Sequence, residues 1–95
     1  MYAVIGRVKI KPGHEEESRS MIAQRGVPMI RAMAGAAGAY WARTLDGELI
    51  QHSLWLFDTE ENAREAEATF NSLREMPDAP AAFVSCDVCE VVGQA

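Results

Sequence analysis

The segment Glu48–Phe57 constrains the fold more than any other part of this sequence, because it has the period-two pattern of a strand and is apolar on both faces. One face would carry Ile50, Leu54 and Leu56, and the other Leu49, Trp55 and Phe57. A sheet face in contact with water is normally polar, so both faces of this strand need a cover. A chain of 95 residues buries only about 60–65% of its unfolded surface. We therefore expect helices on one sheet face and a second copy of the chain on the other.

Three further segments complete the predicted sheet. Alternating and β-branched residues predict strands at Tyr2–Ile10, Ala39–Leu45 and Ala82–Val92. Asp46-Gly47, before the third strand, is a strong signal for a two-residue hairpin turn. Helical patterns separate the first strand from the second and the third from the fourth. The order β-α-β-β-α-β predicts an α+β, ferredoxin-like fold with a four-stranded antiparallel sheet, in a single domain over residues 1–95.

The first helix is predicted to begin at His14–Glu17, where acidic residues match the helix dipole. Its predicted buried stripe consists of Met21, Ile22, Arg25, Met29, Ile30 and Met33. Gly26 and Pro28 interrupt the stripe, and they predict a kink or a break with a restart. The methionines Met21, Met29 and Met33 can also line a plastic ligand pocket between this helix and the sheet.

The second helix is predicted to begin after Asp58, which would be the N-cap of a capping box with Glu61. Its buried stripe consists of Ala63, Ala66, Phe70 and Leu73. Two prolines then predict a loop at Pro77–Pro80, because proline cannot continue a helix.

Charge and hydropathy argue against several classes of protein. The net charge is −5 and the basic residues are scattered singly, whereas a nucleic-acid-binding protein carries a clustered basic face. No apolar run approaches the roughly 18 residues that a membrane span needs. The first residues also lack the pattern of a signal peptide. We therefore expect a cytoplasmic protein that binds neither nucleic acid nor membrane.

Cys86 and Cys89 form a C-x-x-C pattern inside a predicted strand. Residues i and i+3 of a strand point to opposite faces, so we expect no disulfide between them. A zinc site would need two further ligands, and His14 and His52 lie on distant elements. The sequence therefore predicts no metal site, and two free thiols agree with a reducing cytosol.

Three parts of the chain resemble the dimeric α/β-barrel superfamily and, within it, the antibiotic biosynthesis monooxygenase-like group. They are Val8–Glu15 after the first strand, Gly35 and Gly38 before the second, and Leu54–Ala63 at the end of the third. Members commonly have an aromatic residue at the end of strand three, then a short polar cap and an alanine-containing helix. The resemblance covers nearly the whole chain, and its features specify a fold better than a reaction.

The resemblance implies a homodimer whose two sheets close into a barrel, and a pocket for a flat, apolar or aromatic small molecule. Activities in the group include cofactor-independent oxygenation of phenolic substrates, haem degradation and isomerisation. Oxygenation of the first kind needs neither metal nor flavin. The haem-degrading branch needs an asparagine in strand one and a histidine in the second helix. The strand position here is Gly6 and the helix contains no histidine, which argues against haem degradation.

The predicted hairpin makes His52 the first candidate for catalysis. Counting outward from a two-residue turn, the predicted pairs are Leu45 with Glu48, Arg43 with Ile50, and Trp41 with His52. His52 would then lie beside Trp41 in an apolar row and border the cavity, where an imidazole can deprotonate a phenol. The phenolate can react directly with dioxygen in a dry pocket. The alternative is a structural histidine that is hydrogen-bonded across the dimer.

Arginines and aromatic residues on the strands complete the predicted site. Arg43 as a catalytic residue and Arg7 as a substrate-binding residue can hold an anionic group or a developing oxyanion. Salt bridges to acidic residues of the last strand, or exposed guanidinium groups, are the alternatives. The predicted pocket lining consists of Tyr40, Trp41 and Trp55. These aromatic residues have an alternative role as plain core.

Three functions remain open from the sequence. The first is a small homodimeric enzyme that oxygenates an aromatic or polyketide-like compound without a cofactor. The second is a non-catalytic dimeric module that binds a small apolar ligand or stabilises a partner. The third is an isomerase or lyase of the same superfamily.

Overall fold

The computed structural model describes residues 1–76 and 78–95, without the side chain of Leu73. The strands are β1 (Tyr2–Ile10), β2 (Ala36–Arg43), β3 (Ile50–Phe57) and β4 (Ala81–Glu90). The helices are α1 (Glu15–Met21), a π turn (Ile22–Gly26), α2 (Val27–Ala32), α3 (Glu60–Asn71) and a 3₁₀ turn (Ser72–Glu75). The predicted order β-α-β-β-α-β is confirmed, with the first helix divided into three pieces. The predicted burial of Leu73 and the predicted loop conformation at Pro77 lie outside the described part of the chain.

The interruption of the first helix takes the form of a π turn. The Val27 N–H donates to the Ile22 carbonyl five residues back, instead of four as in an α-helix. Pro28 lies in the first turn of α2, where a missing N–H costs little. The chain therefore stays helical through the expected kink and changes only its winding.

The sheet is antiparallel with strand order β2-β3-β1-β4, and the helices pack on one side of it. On this inner face Val4, Val8, Trp55 and Phe57 form the core with residues of the helices. The helical part of that core consists of Ile30, Ala63, Ala66 and Phe70. The core thus occupies a single layer between the sheet and the helices.

The opposite, outer face of the sheet is also apolar at its centre. Ile5 pairs with Leu54 and Ala3 pairs with Leu56, and Leu54 also pairs with Tyr40 of β2. In the single chain, no helix of the described residues lies over this face. Tyr40 consequently keeps 70% of its surface exposed. Both sheet faces are therefore apolar, as predicted.

The β2–β3 register differs by one residue from the predicted one. Trp41 pairs with Ser53 and Ala42 pairs with His52, so the predicted Trp41–His52 pair is wrong. The strands end earlier than predicted, at Arg43 and Ile50, and Leu45 is fully exposed. Since side chains alternate, the slip of one residue moves each predicted partner to the other face.

The length of the connecting loop causes this difference. Thr44 N–H donates to the Ile50 carbonyl at 2.9 Å and closes a five-residue loop instead of a two-residue turn. Asp46 and Gly47 do turn the chain, and the Asp46 carboxylate accepts from the Glu48 N–H, which lowers its pKa. Leu49 then adds one residue in the left-handed conformation, with φ of 61°. Its side chain packs against the core, and its carbonyl accepts from Ile10.

The register of β1 and β4 separates the two cysteines. Cys86 pairs with Gly6 and Cys89 with Ala3, which lie on opposite faces of β1. Both thiols are free, so the prediction of no disulfide is confirmed. Burial raises the pKa of Cys86 to about 11, so this thiol stays protonated at neutral pH.

The cap of α3 also differs by one residue from the prediction. Thr59 is the N-cap, because its hydroxyl accepts from the Asn62 N–H at 3.1 Å. The Asp58 carboxylate instead accepts from the Asn62 side chain at 2.9 Å.

None of the described helices is long and apolar enough to cross a membrane.

Candidate functional site

A cavity of about 320 Å³ lies between the first helix and the inner face of the sheet. Its wall is mainly apolar and includes three aromatic and three thioether side chains, those of Trp41, Trp55, Phe70, Met21, Met29 and Met76. A volume of this size suits a small organic ligand, and most ligand pockets have such apolar walls. Of the predicted methionines, Met21 and Met29 line the cavity, whereas Met33 packs against the core outside it.

The aromatic wall is built from edge-to-face pairs. The ring centroids of Trp41 and Trp55 are 6.4 Å apart, and those of Trp55 and Phe70 are 5.5 Å apart. Phe70 continues the row to Phe83 of β4 at 5.9 Å. Such pairs are preferred over stacked sandwiches and hold each ring in place. The Trp55 indole nitrogen is buried without a hydrogen-bond partner among the described residues, and it lies within this packed row.

Three buried polar side chains form one corner of the cavity, which we call the polar corner: Ser18, Gln51 and Ser53. Gln51 and Ser53 alternate with Trp55 on the inner face of β3, and Ser18 lines the same cavity from α1. Arg43 pairs with Gln51 across the sheet and donates through Nη2 to its Oε1 at 3.2 Å. The cavity is therefore amphipathic, with an aromatic wall and a polar corner.

Charged groups are sparse around the cavity. Arg25 is the only charged side chain among the described residues that line it. It lies where the cavity meets a wider cleft of about 570 Å³, which is also bordered by Met21 and Met76. Across the described chain, no three histidine, cysteine or acidic side chains come together as a metal site would require. No described carboxylate, histidine or thiol lines the cavity.

The predicted site residues lie on both sides of the sheet. Trp41 and Trp55 line the cavity as proposed from the sequence. Arg43 lies behind the polar corner and does not itself line the cavity. His52 lies on the outer face, where it pairs with Arg7 of β1, and it does not border the cavity.

The remaining candidates are also outside the cavity. Tyr40 and Arg7 lie on the outer face, and Arg7 pairs with Ser85 of β4. His52 and Arg43 are on opposite faces and therefore cannot act together on one molecule inside this cavity. Arg43 bonds the Glu15 carbonyl and Gln51, so it does not form the alternative salt bridge to the last strand. Catalytic roles for His52 and Arg43 stay predictions.

The sequence reasoning missed the polar corner. The predicted register pairs Gln51 with Ala42 and Ser53 with Tyr40. A signal was nevertheless present, because Gln51, Ser53, Trp55 and Phe57 alternate in one row. Two polar residues followed by two large aromatic residues on one face of a strand indicate that one end of this face packs in the core and the other end lines a binding site.

Replacing Gly26 with alanine is expected to stabilise the protein and narrow the cavity. Gly26 has helical dihedral angles, and a Cβ there would lie 3.4 Å from Trp41 Cζ2, in ordinary contact. Alanine is favoured over glycine in a helix by about 1 kcal/mol, which raises the melting temperature of a domain this small by about 4–8 °C. Thermal unfolding measures the gain. A lower melting temperature would show that Trp41 cannot accept the methyl group.

Solved structures of the same fold cover nearly the whole chain. A putative antibiotic biosynthesis monooxygenase from Bordetella bronchiseptica is 17% identical, with a TM-score of 0.69 over 96% of each chain. The heme-degrader MhuD from Mycobacterium tuberculosis, with two hemes bound in its active site, is 19% identical, with a TM-score of 0.76 over 100% of this chain and 99% of that one. HapK from Hahella chejuensis is 10% identical, with a TM-score of 0.75 over 100% and 96%.

Similarity in sequence is much weaker than similarity in structure. No protein-family model matches the chain, and no curated protein matches it. The resemblance seen in the sequence is confirmed by these structures at the level of the fold. The chain has the ferredoxin-like fold of the antibiotic biosynthesis monooxygenase-like proteins.

Proposed function

We propose that this chain, which has the fold of the antibiotic biosynthesis monooxygenase-like proteins, binds a flat aromatic molecule in its inner cavity and oxygenates it without metal or flavin. The observation that carries the proposal is the cavity itself, with its aromatic wall and one polar corner. Apolar walls with a few convergent polar groups are typical of sites for small organic ligands. The kind of reaction is suggested by the neighbours named as monooxygenases.

The reaction requires a substrate that supplies all four electrons for dioxygen. A phenol or an acidic methylene beside a carbonyl first loses a proton, and the electron-rich anion transfers electrons to dioxygen. For a methylene, the overall change is CH₂ + O₂ → C=O + H₂O, so one oxygen atom enters the product and the other leaves as water. The protein has to favour the anion and to exclude side reactions with water.

The cavity residues can favour such an anion by donating hydrogen bonds. Because no described acid or histidine lines the cavity, we assign the proton to water at the wider cleft beside Arg25. Hydroxyl and amide donors of the polar corner stabilise the negative oxygen, and Arg25 adds a positive charge at the mouth. The aromatic wall, with Trp41 and Trp55, then packs against the ring system.

We also propose a homodimer through the outer face of the sheet. Ile5, Leu54 and Leu56 form an apolar centre there that no described helix covers. A second copy packed sheet against sheet would remove this surface from water on both chains at once. The dimer would enclose His52 and Arg7 in the interface rather than in the inner cavity.

Other functions on the same fold have less support from this chain. Haem degradation is the activity named for MhuD, but the position that the resemblance requires to be asparagine is Gly6. The Phe70 ring lies directly against Gly6 and occupies the space that a larger side chain would need. A non-catalytic binding module, or an isomerase or lyase, would use the same cavity without consuming dioxygen.

Anthrone, a flat three-ring ketone with an acidic methylene, tests the proposal. We expect the protein to bind it and to speed its conversion to anthraquinone, with one dioxygen consumed per product. An oxygen electrode and absorbance measure the two rates, and labelled dioxygen should leave one labelled atom in the new carbonyl. Binding without oxygen uptake would indicate the non-catalytic module. A product formed without oxygen uptake would indicate an isomerase or lyase.

His52→Ala is the control that separates the two sheet faces. Because His52 lies across the sheet from the cavity, we expect turnover of anthrone to be unchanged. A loss of on the order of 10²–10⁴ in turnover would place the general base on the outer face and contradict the inner-cavity site.

A further inference from the structure

The side-chain amide of Gln51 is held in one orientation by Arg43. Its Oε1 accepts from Arg43 Nη2 at 3.2 Å, and only 6% of the residue is exposed. A guanidinium group has donors and no acceptor, so the amide atom that faces Arg43 has to be the oxygen. The two N–H groups of the amide consequently point away from Arg43.

Arg43 is itself fixed at the end of the sheet. The same Nη2 donates to the Glu15 carbonyl at 3.2 Å, in the first turn of α1. The guanidinium therefore joins β2, β3 and α1, and it cannot rotate away without losing both bonds. Arg43 acts as a positioning residue for the amide of Gln51.

The N–H groups of Gln51 have no acceptor among the described residues, although Gln51 lines the cavity. Ser53 lies two residues along the same face and is 4% exposed, and its hydroxyl likewise has no hydrogen-bond partner in the described chain. Neither group is among the described side-chain atoms that are closed off from solvent without a partner, so both donors reach the cavity. A ligand acceptor at this corner can therefore replace the water that would otherwise accept from them. No described carboxylate lines the cavity to compete for them.

We propose that the amide of Gln51, oriented by Arg43 and assisted by Ser53, donates to an oxygen of the bound aromatic molecule. The ligand class is then a flat aromatic ketone, quinone or phenolate, with its oxygen at the polar corner and its rings against Trp41 and Trp55. This inference rests on the proposed function, since it names the chemical group that the same cavity recognises. A hydrocarbon of equal size would leave the donors of Gln51 unmet.

Fluorenone and fluorene provide a matched pair of probes. They share three flat rings and differ by one carbonyl in place of a methylene, and neither reacts with thiols. Equilibrium dialysis with the full chain gives both dissociation constants and hence a preference ratio, the Kd of fluorene divided by that of fluorenone. Comparing this ratio between variants cancels the different solubilities of the probes.

Gln51→Glu removes the N–H donors and keeps an oxygen facing Arg43. We expect the preference ratio to fall by about 3–10-fold, the usual effect of one hydrogen bond, while the Kd of fluorene changes less than about twofold. Gln24→Glu is the matched control, because this exposed residue borders the outer cleft and not the cavity. Gln51→Met, which is neutral and of similar length, replaces Gln51→Glu if the added charge prevents folding.

Substitutions at Arg43 test its positioning role. Arg43→Met lets the amide of Gln51 rotate, so the preference ratio should fall while the Kd of fluorene stays unchanged. Arg43→Lys retains a donor for Oε1 and should restore most of the ratio. A residue with only a structural role would change the binding of both probes together.

The outcomes separate the inference from the function on which it rests. If wild-type protein binds neither probe, the proposed aromatic-binding cavity fails, and the inference fails with it. If both probes bind and Gln51→Glu leaves the ratio unchanged, the cavity stands and the role of Gln51 is wrong. An equal fall in the preference ratio with Gln24→Glu would also overturn the role of Gln51, because the fall would then come from the change in net charge.

Discussion

Leu54→Asp is expected to convert the proposed dimer into a monomer. Leu54 lies at the centre of the outer face, between Ile5 of β1 and Tyr40 of β2. In a dimer the aspartate would be buried without a partner, at a cost of several kcal/mol in association. In a single chain the same side chain can reach water, because no described helix covers this face. Light scattering at micromolar concentration should therefore show half the mass of the wild type.

The control for this substitution is Leu45→Asp. Leu45 is fully exposed in the loop between β2 and β3, so the same change of residue leaves the sheet face intact. We expect this variant to have the mass and unfolding temperature of the wild type. A wild-type protein that is monomeric at micromolar concentration would contradict the dimer. A dimeric Leu54→Asp variant would place the interface elsewhere.

Gly6→Ala is expected to lower the free energy of unfolding by about 3 kcal/mol, at the upper end of the usual cost of overpacking. A Cβ at Gly6 would overlap the ring of Phe70, which is buried in the core and packed between Trp55 and Phe83. The ring cannot move without disturbing its aromatic neighbours. For a domain of this size the melting temperature should fall by more than about 10 °C, which calorimetry can measure.

Two further variants identify the cause of that loss. Phe70→Leu combined with Gly6→Ala should recover part of the stability, because the smaller side chain leaves room for the methyl group. Gly93→Ala is the matched control, since a Cβ there meets no atom within 4 Å. We expect it to change stability by less than about 0.5 kcal/mol. Equal stability of Gly6→Ala and wild type would show that Phe70 is not held against β1.

Much of the fold could be predicted from local pattern. The alternation in Tyr2–Ile10 predicted β1 with its bounds, and the apolar stripe at Ala63, Ala66 and Phe70 predicted the buried side of α3. Gly26 and Pro28 marked the change of helical winding because both act through the backbone. These signals lie within one element and depend on residues that are close in sequence.

The aromatic part of the site was predicted for a similar reason. Trp41 and Trp55 are large apolar residues on predicted strands, and in this fold such residues line either the core or the pocket. Whether Trp41 faced His52 or Ser53 depended on the number of residues in the connecting loop. Asp46-Gly47 indicated two residues, and the loop has five because Leu49 packs against the core and bonds Ile10.

Patterns within single elements therefore specify the order of the elements, the apolarity of both sheet faces and the presence of tryptophans on the strands. The tertiary structure sets the hairpin register, because the contacts of Leu49 with distant residues outweigh the local turn preference. It also sets the orientation of Gln51 in the polar corner, since Arg43 joins this side chain to the Glu15 carbonyl of α1. A contact between three separate elements leaves no periodic signal in the sequence, because each residue by itself looks like an ordinary polar residue of its own strand or helix.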